Sequence, residues 1–168
     1  MGSANSGNIA AAYNELKTLQ SLKENLIAQK DSYKANQVDV QLKTSEAWIS
    51  FREGKTEEAL RMMYAAADQE DKTEKHPVTP GEVIPARELL GDMLLEMNKP
   101  ADALLAYEAN LKTHANRFNG LYGAAIAAKK SGNRAKTNTY FKKLSSFCKI
   151  GNGGRGEVLE AVEYLKAN

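Results

Sequence analysis

Three segments of the chain carry the same pattern of small and bulky residues. A small residue is followed 12 positions later by a second one and, four positions after that, by a bulky side chain. The members are Ala47, Ala59 and Met63, then Gly91, Ala103 and Tyr107, and finally Ala125, Thr137 and Phe141. The second and third copies lie 34 positions apart, a period typical of stacked helical hairpins. Ten extra residues separate the first copy from the second.

The pattern has a physical reason in a pair of antiparallel helices. Two helices approach closely only where their contacting side chains are small, and one hairpin cannot bury its apolar face without a neighbour. We therefore predict one all-α domain over 8–168, with hairpins at about 40–69, 84–115 and 118–148. An extra helix precedes them, a capping helix follows at 157–167, and residues 1–7 are expected to be a disordered tag.

The second hairpin, with Leu90-Gly91, Leu94, Ala103 and Tyr107, resembles the tetratricopeptide repeat family. The stretch Lys75–Gly81 followed by Pro85–Asp92 is similar to a subset of bacterial members. The resemblance covers about 40–148. It implies a right-handed superhelix and a non-catalytic scaffold or adaptor that holds an extended or helical peptide in a concave groove.

In this family the first helix of each hairpin lines the groove, and the same offsets imply which residues of this chain would do so. They are Gln41, Trp48, Arg52, Glu88, Asp92, Glu96, Asn119, Tyr122 and Lys130. Trp, Tyr and Arg most often anchor protein interfaces, so Trp48 is expected to contact the partner. The competing interpretation buries Trp48 under the inserted loop or the first helix.

The net charge of +2 conceals an uneven distribution. Residues 45–111 contain 14 acids and 7 bases, whereas residues 112–168 contain 11 bases and 3 acids. The basic tract that we single out comprises Lys129, Lys130, Arg134, Lys136, Lys142 and Lys143. Such a tract attracts an anionic partner, although it can also be a solvated face. Weak self-association between the acidic and basic halves is an alternative, and nucleic acid is disfavoured because base stacking needs exposed aromatic residues.

The sequence predicts no catalytic site, cofactor or metal site. It contains two histidines, His76 and His114, and none of the short motifs of zinc proteases, serine hydrolases or phosphate-binding loops. A helical enzyme that uses Glu88 and Asp92 as paired carboxylates is the rival class. Their spacing of four residues indicates a solvated helix face instead.

The sequence also predicts the cellular location of the protein and the placement of its remaining segments. No run of ~20 apolar residues is present, so no membrane segment is predicted. No signal peptide is recognised, which favours the cytoplasm, or the periplasm if a signal has been removed. The lone Cys148 is expected in the core, and the insertion at 70–82 is expected to pack on a neighbouring helix.

Overall fold

The computed structural model describes residues 2–73, 82–147 and 155–167. Over these residues every regular element is an α-helix, so the predicted all-α class is confirmed. The helices are α1 (Gly2–Asn5), α2 (Ile9–Ala28), α3 (Ser32–Arg52), α4 (Thr56–Asp71), α5 (Ala86–Glu96), α6 (Pro100–Thr113), α7 (Phe118–Lys130), α8 (Arg134–Phe147) and α9 (Gly156–Ala167). The chain divides into two compact units, unit 1 (Met1–Leu90) and unit 2 (Gly91–Asn168).

Three turns follow the first helix of each predicted hairpin. Gly54, Asn98 and Gly132 follow α3, α5 and α7, and all three have positive φ values, of 82°, 55° and 76°. A left-handed residue after a helix lets the chain reverse direction, and glycine or asparagine adopts that conformation at least cost. Each of the three reversals therefore has a residue type that suits its conformation.

The nine members of the repeated pattern are all buried. Ala47, Ala59 and Met63 are fully inaccessible in unit 1. The members Gly91, Ala103, Tyr107, Ala125, Thr137 and Phe141 are buried in unit 2. The pattern therefore identified the positions at which helices meet.

The N-terminus differs from the expected disordered tag. Gly2–Asn5 form the short helix α1, and Ala4 is fully buried against Ala12 of α2 and Ile49 of α3. The hydroxyl of Ser3 donates a hydrogen bond of 2.6 Å to the carboxylate of Glu15. The small side chain of Ala4 allows α1 to lie close to both longer helices.

A polar network joins α2, α3 and α4 in unit 1. Lys23 Nζ lies 2.7 Å from Asp39 Oδ1, while Lys43 Nζ and Gln69 Nε2 each lie 2.8 Å from Oδ2. Burial raises the pKa of Asp39, but the hydrogen bonds from Lys23, Lys43 and Gln69 outweigh burial and hold the pKa well below its usual range. The ionised carboxylate therefore stabilises the packing of three helices.

Replacing Asp39 with asparagine is expected to lower the free energy of unfolding by about 2 kcal/mol at pH 7, because it removes charge-assisted hydrogen bonds. The folded-state pKa is the lower one, so the stabilisation is complete above about pH 5 and is lost progressively as pH falls from the unfolded value of about 3.9 toward the lower folded-state pKa. Urea unfolding at pH 7 and pH 3 measures both effects. The difference in the free energy of unfolding between pH 7 and pH 3 should be smaller for Asp39→Asn than for the wild type. Asp102→Asn, at an exposed site, is the control and should resemble the wild type. An equal difference in all three chains would contradict the prediction.

Candidate partner-binding site

The ring of Tyr107, on α6, lies between the backbones of α5 and α7 in unit 2. A methyl group at Gly91 would lie 2.7 Å from Cζ of Tyr107, and one at Gly123 would be closer still to the same ring. Only glycine leaves room for the ring at both positions. The Tyr107 hydroxyl donates a hydrogen bond of 2.5 Å to Asp92 Oδ1, so it reaches an exposed carboxylate on α5.

Helix α7 of unit 2 is largely enclosed. Seven of its 13 residues are buried, namely Gly120, Leu121, Gly123, Ala124, Ala125, Ala127 and Ala128. A line of accessible residues at spacings of three, four and four runs along its remaining face, and we call it the α7 stripe: Asn119, Tyr122, Ile126 and Lys130. Such spacings place residues on one side of a helix. The stripe has an aromatic and an aliphatic side chain at its centre and polar side chains at its ends.

Helix α9 contacts α7 through the carboxylate of Glu160 and through the ring of Tyr164, whose centroid lies 5.7 Å from Lys129 Nζ. The Tyr122 hydroxyl donates a hydrogen bond of 2.7 Å to Glu160 Oε2, and Lys129 Nζ lies 3.0 Å from Oε1. Burial and the bond to Glu160 raise the pKa of Tyr122 to about 12. Burial raises the pKa of Glu160, but the hydrogen bonds from Tyr122 and Lys129 outweigh it and lower that pKa. Glu160 is therefore held as an anion between two donors of α7.

The groove residues predicted in unit 1 are not all accessible. Trp48 is 2% exposed and Glu88 is 1% exposed, so their expected exposure is wrong. The Trp48 ring packs edge-on against Phe51 at 5.8 Å, and the Arg52 guanidinium lies 5.2 Å from the Trp48 centroid. Gln41 and Arg52 are exposed, as expected. Trp48 is therefore buried, as the competing interpretation expected, and the contacts of its ring are with Phe51 and Arg52 of its own helix.

The groove residues predicted in unit 2 are largely accessible. Asp92 and Glu96 are exposed on α5, and Asn119 and Lys130 are exposed on α7. Tyr122 is half-buried beside α9. Glu88, Asp92 and Glu96 are spaced four apart on α5, and two of the three are exposed, because the side chain of Glu88 is buried.

The basic tract is not a uniform cationic face. Lys136 Nζ lies 2.8 Å from the carboxylate of Glu108, which also accepts a hydrogen bond from Tyr140. Lys129 is paired with Glu160. The exposed members are Lys129, Lys130, Arg134, Lys142 and Lys143. Sequence spacing did not reveal the carboxylate partners, because they lie 28 and 31 residues from the lysines that they pair with.

Unit 1 contains an open cleft that sequence reasoning missed. Its volume is about 650 Å³, and it is lined by Asn36, Ala65, Asp68, Gln69, Lys72 and Thr73. The side-chain amide of Asn36 donates a hydrogen bond of 2.8 Å to the Thr73 hydroxyl, and its oxygen accepts one of 2.8 Å from the side-chain amide of Gln69. Polar side chains of α3 and α4 are thus hydrogen-bonded to one another across the cleft, and these hydrogen bonds stabilise the packing of the two helices.

Several predicted features lie outside the described residues. They are Cys148, His76 and positions 74–81 of the insertion at 70–82. Within the described ranges, no group of three or more His, Cys, Asp or Glu side chains is placed to hold a metal ion. In the same ranges, no helix has both the length and the apolar character that crossing a membrane requires.

Comparisons with known proteins give no match. No family model fits the chain, and neither a search of curated proteins nor a search of solved structures finds a similar one. The geometry of the described residues, together with the sequence pattern, is therefore what supports a function for this chain.

Proposed function

We propose that this chain is a non-catalytic protein-interaction module of the tetratricopeptide type. In this proposal it binds a peptide or protein partner through the α7 stripe, and its hairpins form a right-handed superhelix. The single observation that carries the proposal is the stripe itself, a line of exposed and half-buried side chains on a helix of which seven of the 13 residues are buried. A rigid helix with one open face is a suitable platform for recognition.

The 34-residue period and the position of Tyr107 support the repeat architecture. Tyr107 and Gly91 belong to one predicted hairpin, whereas Gly123 belongs to the next. Contact of one ring with both glycines means that α5, α6 and α7 pack together, and this packing supports an interface between two of the predicted hairpins. Such packing between neighbouring units is what stabilises a repeat protein.

The side chains of the stripe suit recognition of a partner. Tyr122 and Ile126 are partly buried against the core cluster that includes Leu121 and Phe141. Because packing already restricts these side chains, less conformational entropy remains to be lost when a partner binds. Asn119 and Lys130 add a hydrogen-bonding amide and a charge at the two ends of the stripe, where they select the orientation of the partner.

Affinity enrichment from a lysate of the cells that produce the protein tests the proposal. The double variant Asn119→Ala/Lys130→Glu alters both ends of the stripe. The double variant Asn14→Ala/Lys17→Glu makes the same two changes at exposed positions of α2, outside the stripe and the basic tract, and serves as the control. We expect at least one protein to be enriched equally by the wild type and the control and about tenfold less by the stripe variant, a difference of about 1.4 kcal/mol in binding.

Circular dichroism first establishes that both variants keep the helical content of the wild type. If every captured protein were retained by the stripe variant, or if the stripe variant and the control lost the same proteins, the stripe would not be the recognition surface.

A further inference from the structure

We propose that Tyr122 and Lys129 form a receptor for a carboxylate of the partner, and that α9 occupies this receptor until an acidic helical segment of the partner displaces it. The inference rests on the proposed function and specifies its partner as a helix that carries a glutamate or aspartate. Helix α9 then acts as an intramolecular substitute for that helix.

The geometry of the receptor is that of a bound carboxylate. Tyr122 and Lys129 are seven residues apart on α7, which is two helical turns, so their side chains lie on the same side. Each donates to a different oxygen of Glu160, at 2.7 and 3.0 Å. Two donors that engage both oxygens fix the orientation as well as the position of a carboxylate.

Helix α9 makes a small apolar contact with the rest of unit 2. Within Gly156–Ala167, two residues are buried, Val158 and Ala161. Tyr164 adds a ring contact with Phe141 at a centroid distance of 5.1 Å, whereas Leu159 remains 53% exposed. An element with few buried apolar contacts opens locally at a lower free-energy cost than the core helices. Displacement of α9 therefore does not require the hairpin of α7 and α8 to unfold.

Charge complementarity defines the occupant. Residues 109–156 contain no Asp or Glu, so the three acids of α9 supply the only negative side chains of the last 60 residues: Glu157, Glu160 and Glu163. Without Glu160, Lys129 would lose the carboxylate that it pairs with, and Lys130 is exposed next to it. An acidic segment restores this neutralisation, whereas a basic or purely apolar one does not.

Competition between α9 and an incoming helix gives a measurable consequence. The apparent affinity of a ligand is its intrinsic affinity multiplied by the fraction of molecules in which its site is free. Replacing Glu160 with glutamine exchanges a charge-assisted contact for a weaker neutral one, so α9 should vacate the site more often. Glu163 is exposed on the same helix, and Glu163→Gln makes the same change in charge at a position outside the contact of Glu160 with Tyr122 and Lys129.

The test uses the full chain and a fluorescently labelled peptide with the sequence of Gly156–Ala167 as the probe. Fluorescence polarisation should show that the Glu160→Gln chain binds the probe about fivefold more tightly than the wild type does. The Glu163→Gln chain should match the wild type. Adding Lys129→Gln to the Glu160→Gln chain should remove the gain in affinity for the probe. A second probe carries glutamine in place of Glu160, and it should bind the Glu160→Gln chain more weakly than the original probe does.

Several outcomes would overturn the inference. They are equal binding of the two probes to the Glu160→Gln chain, equal gains from Glu160→Gln and Glu163→Gln, or no binding of the probe to any chain. The outcome is separable from that of the lysate experiment, because the probe needs no natural partner and the lysate variants leave Tyr122 and Lys129 intact. A failed probe test with a successful lysate test would reject the carboxylate receptor and keep the stripe.

Discussion

Replacing Gly123 with alanine is expected to lower the free energy of unfolding by about 3 kcal/mol, at the upper end of the usual cost of overpacking. The added methyl group would overlap the ring of Tyr107. The ring cannot move away, because Gly91 lies against it on α5 and its hydroxyl is bonded to Asp92. Either α7 separates from α6 or Tyr107 leaves its position, and both changes disrupt the core of unit 2.

Urea unfolding followed by circular dichroism measures this effect. Gly156→Ala is the matched control, because a methyl group there meets nothing within 4 Å, and its stability should stay within about 0.5 kcal/mol of the wild type. A double-mutant cycle with Tyr107→Leu identifies the cause: once the ring is absent, Gly123→Ala should cost much less. An equal cost in both backgrounds would show that the ring is not what excludes a side chain at position 123.

Truncating Trp48 to alanine is expected to cost about 4 kcal/mol of stability, as large aromatic residues do when they leave a cavity in a core. The indole is 98% buried, with Phe51 and Arg52 against it. Loss of partner binding in this variant would therefore reflect unfolding, so Trp48 is unsuitable as a probe of recognition. Gln41→Ala, at an exposed position of the same helix, should change stability by less than about 0.5 kcal/mol.

A second substitution separates packing from hydrogen bonding at this position. The indole Nε1 of Trp48 is buried and has no hydrogen-bond partner among the residues that the structure describes. Trp48→Phe keeps most of the apolar volume and removes this donor, so it should cost much less than Trp48→Ala, about 1.5 kcal/mol or less. Thermal unfolding of the three variants measures the series. A cost for Trp48→Phe as large as that for Trp48→Ala would mean that the donor is satisfied in the folded protein.

The sequence was sufficient for features that depend on local chemistry. The turns at Gly54, Asn98 and Gly132 were predictable because a left-handed position strongly favours glycine and asparagine. The buried pattern residues were predictable because helix contacts need small side chains at a fixed spacing. Contact between Gly91 and Tyr107 follows from the same pattern.

Features that depend on which elements meet in space were not predictable in the same way. Periodicity shows which residues share a face of a helix, but it does not show whether another element covers that face. Glu88 shares its spacing with the exposed Asp92 and Glu96, yet its side chain is buried. The contact between Tyr122 and Glu160 joins residues 38 positions apart, and no spacing rule links them.

Recognition through the α7 stripe is the central claim, and the affinity of a purified partner tests it most directly. A protein enriched from the lysate is titrated calorimetrically against the wild type, the stripe variant Asn119→Ala/Lys130→Glu and the control Asn14→Ala/Lys17→Glu. We predict that the dissociation constant rises at least about tenfold for the stripe variant and stays unchanged for the control. Equal dissociation constants for all three chains would contradict the claim and place recognition elsewhere on the molecule.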